Sequence, residues 1–134
     1  MTISSTADLD TVLDADFTIR SISFFGDGTA DDLKINQGGA FTLTVGDIRI
    51  EAPCTPHFNV PVALPGDATI QRNALSTAPY FNQPISGPYK LTLTNSTSLS
   101  VRLHAVNTFS GGLDVGYSYV SFKNGGLGTG TVRL

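Results

Sequence analysis

Several side chains that commonly carry chemistry or crosslinks are scarce in this sequence. It has one cysteine, Cys54, and no tryptophan, and charged residues make up 14% of the chain, whereas about 25% is typical of globular proteins. A single cysteine excludes an internal disulfide and a multi-cysteine metal site. No run approaches about 18 consecutive apolar residues, and the opening MTISSTADLD has neither the basic region nor the apolar core of a secretory signal. We therefore expect synthesis in a cytoplasm and no association with a membrane.

Recognisable catalytic motifs are also lacking. The sequence has no G-x-S-x-G motif, no P-loop and no G-x-G-x-x-G between a strand and a helix, which are the usual signatures of serine hydrolases and nucleotide-binding enzymes. Its one glutamate, Glu51, ends a predicted strand, and this position does not favour the paired carboxylates of a glycosidase. We therefore predict that the protein is not an enzyme and needs no cofactor.

Charge is unevenly distributed along the chain. Residues 1–32 hold seven aspartates and one arginine, a net charge of −6, whereas the remainder holds four acids and seven bases, a net charge of +3. The bases are spread almost evenly, so the basic stripe of a nucleic-acid-binding protein is not expected. An acidic segment and a mildly basic body attract each other within one molecule or between copies. A solvated acidic tail is the alternative interpretation.

Alternating apolar and polar residues are the strongest pattern in the chain. In SLSVRLHAV, residues 98–106, every second residue is apolar, as in a strand with one buried face. With YKLTLT and the turn-forming NSTS before it, this segment predicts a β-hairpin over 89–106. AFTLTV and IRIEA flank Gly46 and Asp47, a spacing typical of a second hairpin with a two-residue turn.

Other segments complete the predicted architecture. FTIRSISFF, residues 17–25, predicts a further strand, while ADLDTVLDA, residues 7–15, allows either a helix or an extended arm. All seven prolines lie between residues 53 and 88, so we expect the least regular structure there, with Pro61 at a sheet edge. No internal repeat is apparent. We predict one all-β domain over 17–134, an antiparallel β-sandwich or jelly roll, preceded by an acidic N-terminal arm over 1–16.

Two segments have the composition of metal sites. The loop GDGTADD offers Asp27, Asp31 and Asp32, but it lacks the ligand spacing and the glutamate of a calcium loop. We favour a turn there and leave a bound cation open. Cys54 and His57 have C-x-x-H spacing, and His104 is the one further histidine, whereas structural zinc needs four ligands. A buried Cys54 and a partly exposed His57 are favoured, and a metal-dependent enzyme ranks last.

The general character of the chain suggests a structural role. A compact β domain rich in Thr, Ser, Asn and Gly, with few charges and an acidic arm, resembles the capsid cement, or decoration, proteins of tailed bacteriophages. The resemblance implies a homotrimer on the outer surface of the virion, synthesised in the host cytoplasm, whose partners are the major capsid protein and copies of itself. We expect the contacts to come from the arm and the proline-rich segment, through Asp8, Leu9, Asp10, Val12, Leu13, Asp14, Asp16, Tyr80 and Phe81.

A binding module is the alternative to a cement protein. A carbohydrate- or receptor-binding β-sandwich of a phage tail or fibre would use exposed aromatic side chains as stacking platforms. The lack of tryptophan disfavours this role. The polar stripe formed by Ser100, Arg102 and His104 could bind a sugar or the carboxylates of a partner, or could simply face solvent.

Overall fold

The computed structural model describes residues 2–4, 9–26, 31–51, 53–73, 78–95, 99–116 and 118–134. Within these residues the chain forms strands and no helix. The described residues therefore contain no helix that could cross a membrane. The strands are β1 (Thr2–Ser4), β2 (Leu9–Leu13), β3 (Phe17–Phe25), β4 (Asp31–Gln37), β5 (Leu43–Ile50), β6 (Cys54–Asn59), β7 (Val62–Ala63), β8 (Ala68–Arg72), β9 (Tyr80–Phe81), β10 (Ile85–Ser86), β11 (Leu91–Asn95), β12 (Leu99–Leu103), β13 (Leu113–Val115), β14 (Ser118–Phe122) and β15 (Val132–Arg133).

The strands are all parallel and form a β-solenoid of about 5 turns. The first sheet has the order β1-β3-β5-β8-β11-β13-β15, with β7 and β10 attached beside this path. The second sheet has the order β14-β12-β9-β6-β4-β2. The all-β prediction is confirmed, but the antiparallel sandwich or jelly roll is wrong. The chain winds in one direction, and each coil adds strands to both sheets.

Strands that follow each other in the chain do not pair with each other, so both predicted hairpins are wrong. β11 belongs to the first sheet and β12 to the second, although they are separated by only a few residues. The segment 43–50 is one continuous strand that passes through Gly46 and Asp47 without turning. Residue alternation shows which side chains are buried, but a partner 22 or 23 residues away satisfies it as well as an adjacent one.

The described part of the proline-rich segment contains five strands, contrary to the prediction of the least regular structure there. It contains β6 to β10, and Pro56 is buried in β6 opposite Leu33. Among the described residues β9 pairs with β6 only at His57 and Phe58, so the missing N–H of Pro56 costs no bond to β9. The carbonyl of Pro61 accepts from the Leu43 N–H at 2.9 Å. Pro61 thus contributes a hydrogen bond through its carbonyl, although it has no N–H to donate.

The core consists of rows of side chains that run along the solenoid axis. Register places Ile35, Phe58, Phe81, Leu103 and Phe122 side by side in what we call the inner row. The first four are buried, and the rings of Phe58 and Phe81 stack with centroids 4.6 Å apart. Full burial of each such side chain stabilises the fold by roughly 1.5–3 kcal/mol. Burial in the inner row therefore depends on contact between neighbouring coils.

Polar side chains also connect successive coils. The side-chain amide of Asn59 donates to Asn36 Oδ1 at 2.8 Å, and that of Asn82 donates to Asn59 Oδ1 at 2.7 Å. Aspartates accept from backbone N–H groups one coil away, as Asp67 does from Lys90 at 3.0 Å. These bonds satisfy polar groups that the coil geometry would otherwise leave unpaired.

The acidic N-terminal segment contributes a strand. Residues 9–13 pair with β4, from Leu9 opposite Leu33 to Leu13 opposite Gln37. The helical interpretation of residues 7–15 is therefore wrong for this part of the segment. Asp16 fixes the corner that follows, because its Oδ1 accepts from the Thr42 N–H at 2.8 Å.

Candidate functional site

The outward face of the second sheet carries a row of polar and aromatic side chains. Register aligns one residue from each strand, and we call this set the outer row: Asp10, Lys34, His57, Tyr80, Arg102 and Ser121. The residues that follow the four central members are Ile35, Phe58, Phe81 and Leu103, the buried part of the inner row. Because side chains alternate along a strand, the outer row faces solvent. Strands lie roughly 4.8 Å apart, so these groups form a closely spaced line on one flat surface.

At the centre of the outer row three side chains form a stack. The imidazole of His57 lies against the Tyr80 ring, with centroids 4.5 Å apart and planes inclined by 11°. The guanidinium carbon of Arg102 lies 4.6 Å from the centroid of the same ring. Because β9 lies between β6 and β12, the two neighbours cover opposite faces of the ring. His104 packs edge-on against Tyr80 at 5.7 Å.

This stack determines which ligands the surface can accept. Sugar rings bind to aromatic side chains by lying on a ring face, but both faces of Tyr80 are occupied by His57 and Arg102. The groups that remain available are the phenol hydroxyl, ring edges and the N–H groups of Arg102. A guanidinium held over an aromatic ring keeps donors for a carboxylate in a fixed plane. The geometry therefore suits an anionic partner better than a sugar.

The carboxylates on this face are paired with basic side chains and lie at one end of the outer row. At the β2 end, Lys34 Nζ lies 3.6 Å from Asp10 Oδ1, and Asp32 Oδ1 lies 3.4 Å from His57 Nε2. The second contact is an ion pair only when the imidazole is protonated. Exposed pairs of this kind contribute about 0–1 kcal/mol each. The carboxylates lie at the β2 end, and the available guanidinium of Arg102 lies toward the β14 end.

Part of this surface was indicated by the sequence and part was not. The predicted polar stripe on β12 is correct in placing Arg102 and His104 beside each other. Tyr80 was predicted as a partner contact in a loop, whereas it lies in β9 and joins the stripe through the fold. His57 was missed as a member of this surface. The signal that could have shown it is the 23-residue spacing between His57 and Tyr80.

The C-x-x-H pair does not form half of a metal site. Cys54 is fully buried and His57 lies on the outward face of the same strand, so their side chains point in opposite directions. This confirms the favoured interpretation of both residues. In the part of the chain that the structure describes, no three His, Cys, Asp or Glu side chains are grouped to hold a metal ion.

The proposed acidic loop is only partly described. Asp27 lies outside the described residues, Asp31 begins β4, and Asp32 faces His57. The turn favoured for this loop therefore stays a prediction.

The residues predicted to contact a partner lie in different environments. Asp8 is outside the described residues, and Leu9 lies in β2. Asp10, Val12, Asp14 and Asp16 are exposed, while Leu13 is half-buried against the core. Tyr80 is half-buried in the outer row, but Phe81 is fully buried against Phe58. Phe81 therefore supports the core, and its side chain is not accessible from the surface.

One titratable group is shifted by its surroundings. Partial burial at the end of β8 lowers the pKa of the Arg72 guanidinium. Arg72 lies opposite Ile50, on the side of the strand that faces the core. The shift reflects desolvation of a charge at the edge of the core and does not involve the outer row.

Comparisons with known proteins do not identify a relative. No protein-family model, no curated protein and no solved structure matches the chain.

Proposed function

We propose that this protein is a non-catalytic structural module that binds a partner through the outer row. The observation that supports this most directly is the stack of His57, Tyr80 and Arg102 on a flat outward face. A rigid sheet surface needs little reordering on binding, so little conformational entropy is lost. Aromatic and arginine side chains are also the types that contribute most strongly to protein interfaces.

The partner that best fits this surface is a protein face rich in carboxylates. Arg102 presents several N–H donors, and Tyr80 adds a hydroxyl group beside them. Bidentate pairing of a guanidinium with a carboxylate is both directional and strong for a surface contact. The carboxylates toward the β2 end, Asp10 in the outer row and Asp32 beside His57, would disfavour an acidic partner shifted to that end and so favour one register.

The role in a virion is a proposal about the identity of that partner. As a capsid cement protein, the module would lie on the outer shell and bridge major capsid subunits across a standard interface of roughly 1,200–2,000 Å². A rigid solenoid is suited to such bridging because its coils hold one another in register. The sugar- or receptor-binding role is less favoured, since both faces of the Tyr80 ring are covered.

A binding assay with a matched control tests the proposal. The probe is a fluorescein-labelled hexaglutamate peptide, measured by anisotropy at low and high salt. We expect Arg102→Ala to weaken binding about three- to tenfold, as for loss of one charge-assisted contact. The control is Arg49→Ala, which removes the same charge from an exposed position on β5 of the first sheet.

Two results would contradict the proposal. Equal losses in the two variants would show that only net charge matters. Absence of peptide binding together with hits on a glycan array would favour the receptor-binding alternative.

A further inference from the structure

Within the described part of the chain, each end of the solenoid is a sheet edge without a further strand. β14 and β15 are the outermost strands at one end, and β1 and β2 are the outermost strands of the two sheets at the other. Among the residues that the structure describes, nothing pairs with the outer side of these strands. The outer side of an edge strand can accept a further strand through backbone hydrogen bonds.

At the β14 end, side chains that belong to the core are exposed. Phe122 is in register with the buried Leu103, and Val132 is in register with the buried Leu113. Both therefore point toward the interior, but 53% of Phe122 and 36% of Val132 remain accessible. Tyr119, which lies in β14 with Phe122, is also exposed. The core thus continues to the surface at this end.

The β2 end is the counterpart of this surface. Phe17 is in register with the buried Leu43, yet it is 44% exposed. Beside it, a cavity of about 140 Å³ opens between the two sheets, lined by Leu13, Ile19 and Ile35 among others. A cavity with such a lining has room for an apolar side chain and offers water few partners. One end therefore projects apolar side chains and the other has an apolar recess.

The two ends also carry opposite charge. In a solenoid, residues later in the chain lie farther along the axis. The uneven distribution of charge in the sequence therefore places opposite net charges at the two ends of the molecule. Residues 9–26 hold three aspartates and one arginine, a net charge of −2, while residues 99–134 hold Arg102, Lys123 and Arg133 against Asp114, a net charge of +2. Contact between unlike ends brings these charges together, whereas contact between like ends opposes them.

We propose that the β14 end of one molecule docks on the β2 end of a second copy of this chain. The docked copy would extend both sheets with parallel strands, cover Phe122 and Val132, and place the basic end against the acidic one. Head-to-tail contacts of this kind do not close on themselves, so they generate linear arrays. This self-association goes beyond the partner binding proposed for the outer row and uses different residues.

The test is a complementation experiment on the 134-residue chain. Phe122→Asp places a negative charge on the β14 end, and Phe17→Lys places a positive charge on the β2 end. Each variant retains one intact end. We expect the unmodified protein to grow in mass over about a hundredfold range of concentration, and each variant alone to stay near 14.1 kDa. An equimolar mixture should form a 1:1 complex of twice that mass, measured by sedimentation velocity.

Specific results would overturn the proposal. These are a monomer at every concentration for the unmodified protein, continued assembly of either variant alone, or a mixture that does not form the complex. Far-UV circular dichroism shows whether the variants fold. If they do not, the exposed pair Asp14→Lys and Lys123→Glu replaces them. Each of these should weaken association at least tenfold, and the double variant should restore it, whereas a double variant as weak as either single one would contradict the proposal.

Discussion

The central coils and the terminal coils of this molecule are built from the same kinds of residue but differ in what surrounds them. Phe58 and Phe122 occupy the same inner row, yet Phe58 is fully buried and Phe122 is half exposed. Phe58 has a coil on each side, whereas Phe122 has a described coil on one side only. In a solenoid, burial is therefore a property of the interface between coils, and a residue's stabilising effect depends on its distance from the ends.

Alanine substitutions in the inner row provide the largest expected contrast. Phe58→Ala should lower the free energy of unfolding by about 3–5 kcal/mol, because it leaves a cavity beside Phe81. Phe122→Ala should cost about 1 kcal/mol, since half of the side chain already meets water. Urea denaturation at low protein concentration measures both. Equal losses would show that the end of the solenoid is as well packed as its centre.

A glycine in the last coil should be an exception to the smaller effect of substitutions near the ends. Gly128 has a positive φ of 75°, and an added Cβ would lie 2.6 Å from the Phe109 carbonyl oxygen. Gly128→Ala should therefore destabilise the protein by about 1–3 kcal/mol, although it lies in the last coil. The control is Gly66→Ala in a central coil, where an added Cβ would meet nothing within 4 Å. It should leave the thermal midpoint unchanged or raise it slightly.

Asn36, Asn59 and Asn82, which we call the asparagine ladder, permit a comparison within the central coils. Asn59 both donates and accepts, so Asn59→Ala leaves Asn36 and Asn82 without their ladder contacts to it. We expect a loss of about 1–2 kcal/mol, and roughly half of that for Asn36→Ala, which removes one bond. Thermal unfolding followed by circular dichroism distinguishes the two. Similar values would mean that water replaces the ladder bonds readily.

The outer row should give the smallest effect on stability. Arg102→Ala removes the cation from the Tyr80 ring and should cost about 0.5–1 kcal/mol. Arg49→Ala on the other sheet should change the free energy of unfolding by less than about 0.5 kcal/mol. A greater loss for Arg49 in urea denaturation would indicate that the stack has no stabilising role.

The sequence predicted strands better than it predicted their partners. FTIRSISFF matches β3 over Phe17–Phe25, and the alternation in 98–106 matches β12. Alternation reflects which face of a strand is buried, and any partner with a buried face on the same side satisfies it. Short spacing between two strands favours a hairpin, but a corner between two sheets needs equally few residues.

The solenoid is reflected in the sequence by residues that recur at a fixed spacing. Pro56 and Pro79 lie 23 residues apart, as do Pro61 and Pro84, and Pro65 and Pro88. The same spacing relates the asparagines of the ladder, each of which follows an isoleucine or a phenylalanine. Few residue types repeat, and the spacing shortens to 19 between Leu113 and Val132. The same residue types therefore recur in only a few positions of successive coils, even though the strands themselves recur in each coil.

The candidate site could be predicted only in part for the same reason. Arg102 and His104 are two residues apart in the chain, and alternation alone puts them near each other on one face of the sheet. His57 and Tyr80 reach them through coils that are 22 or 23 residues long. Without the repeat, no rule of local sequence places these side chains together.

The nearly constant coil length has a consequence for how the chain folds. Most pairings join residues about 23 positions apart, so closing each new coil costs a similar amount of chain entropy. The first closure gains one interface, and each later coil adds to a surface that already exists. Folding should therefore start where the aromatic stack of Phe58 and Phe81 makes the first interface strongest, and then proceed outward in both directions. The strands at the two ends would form last and open first.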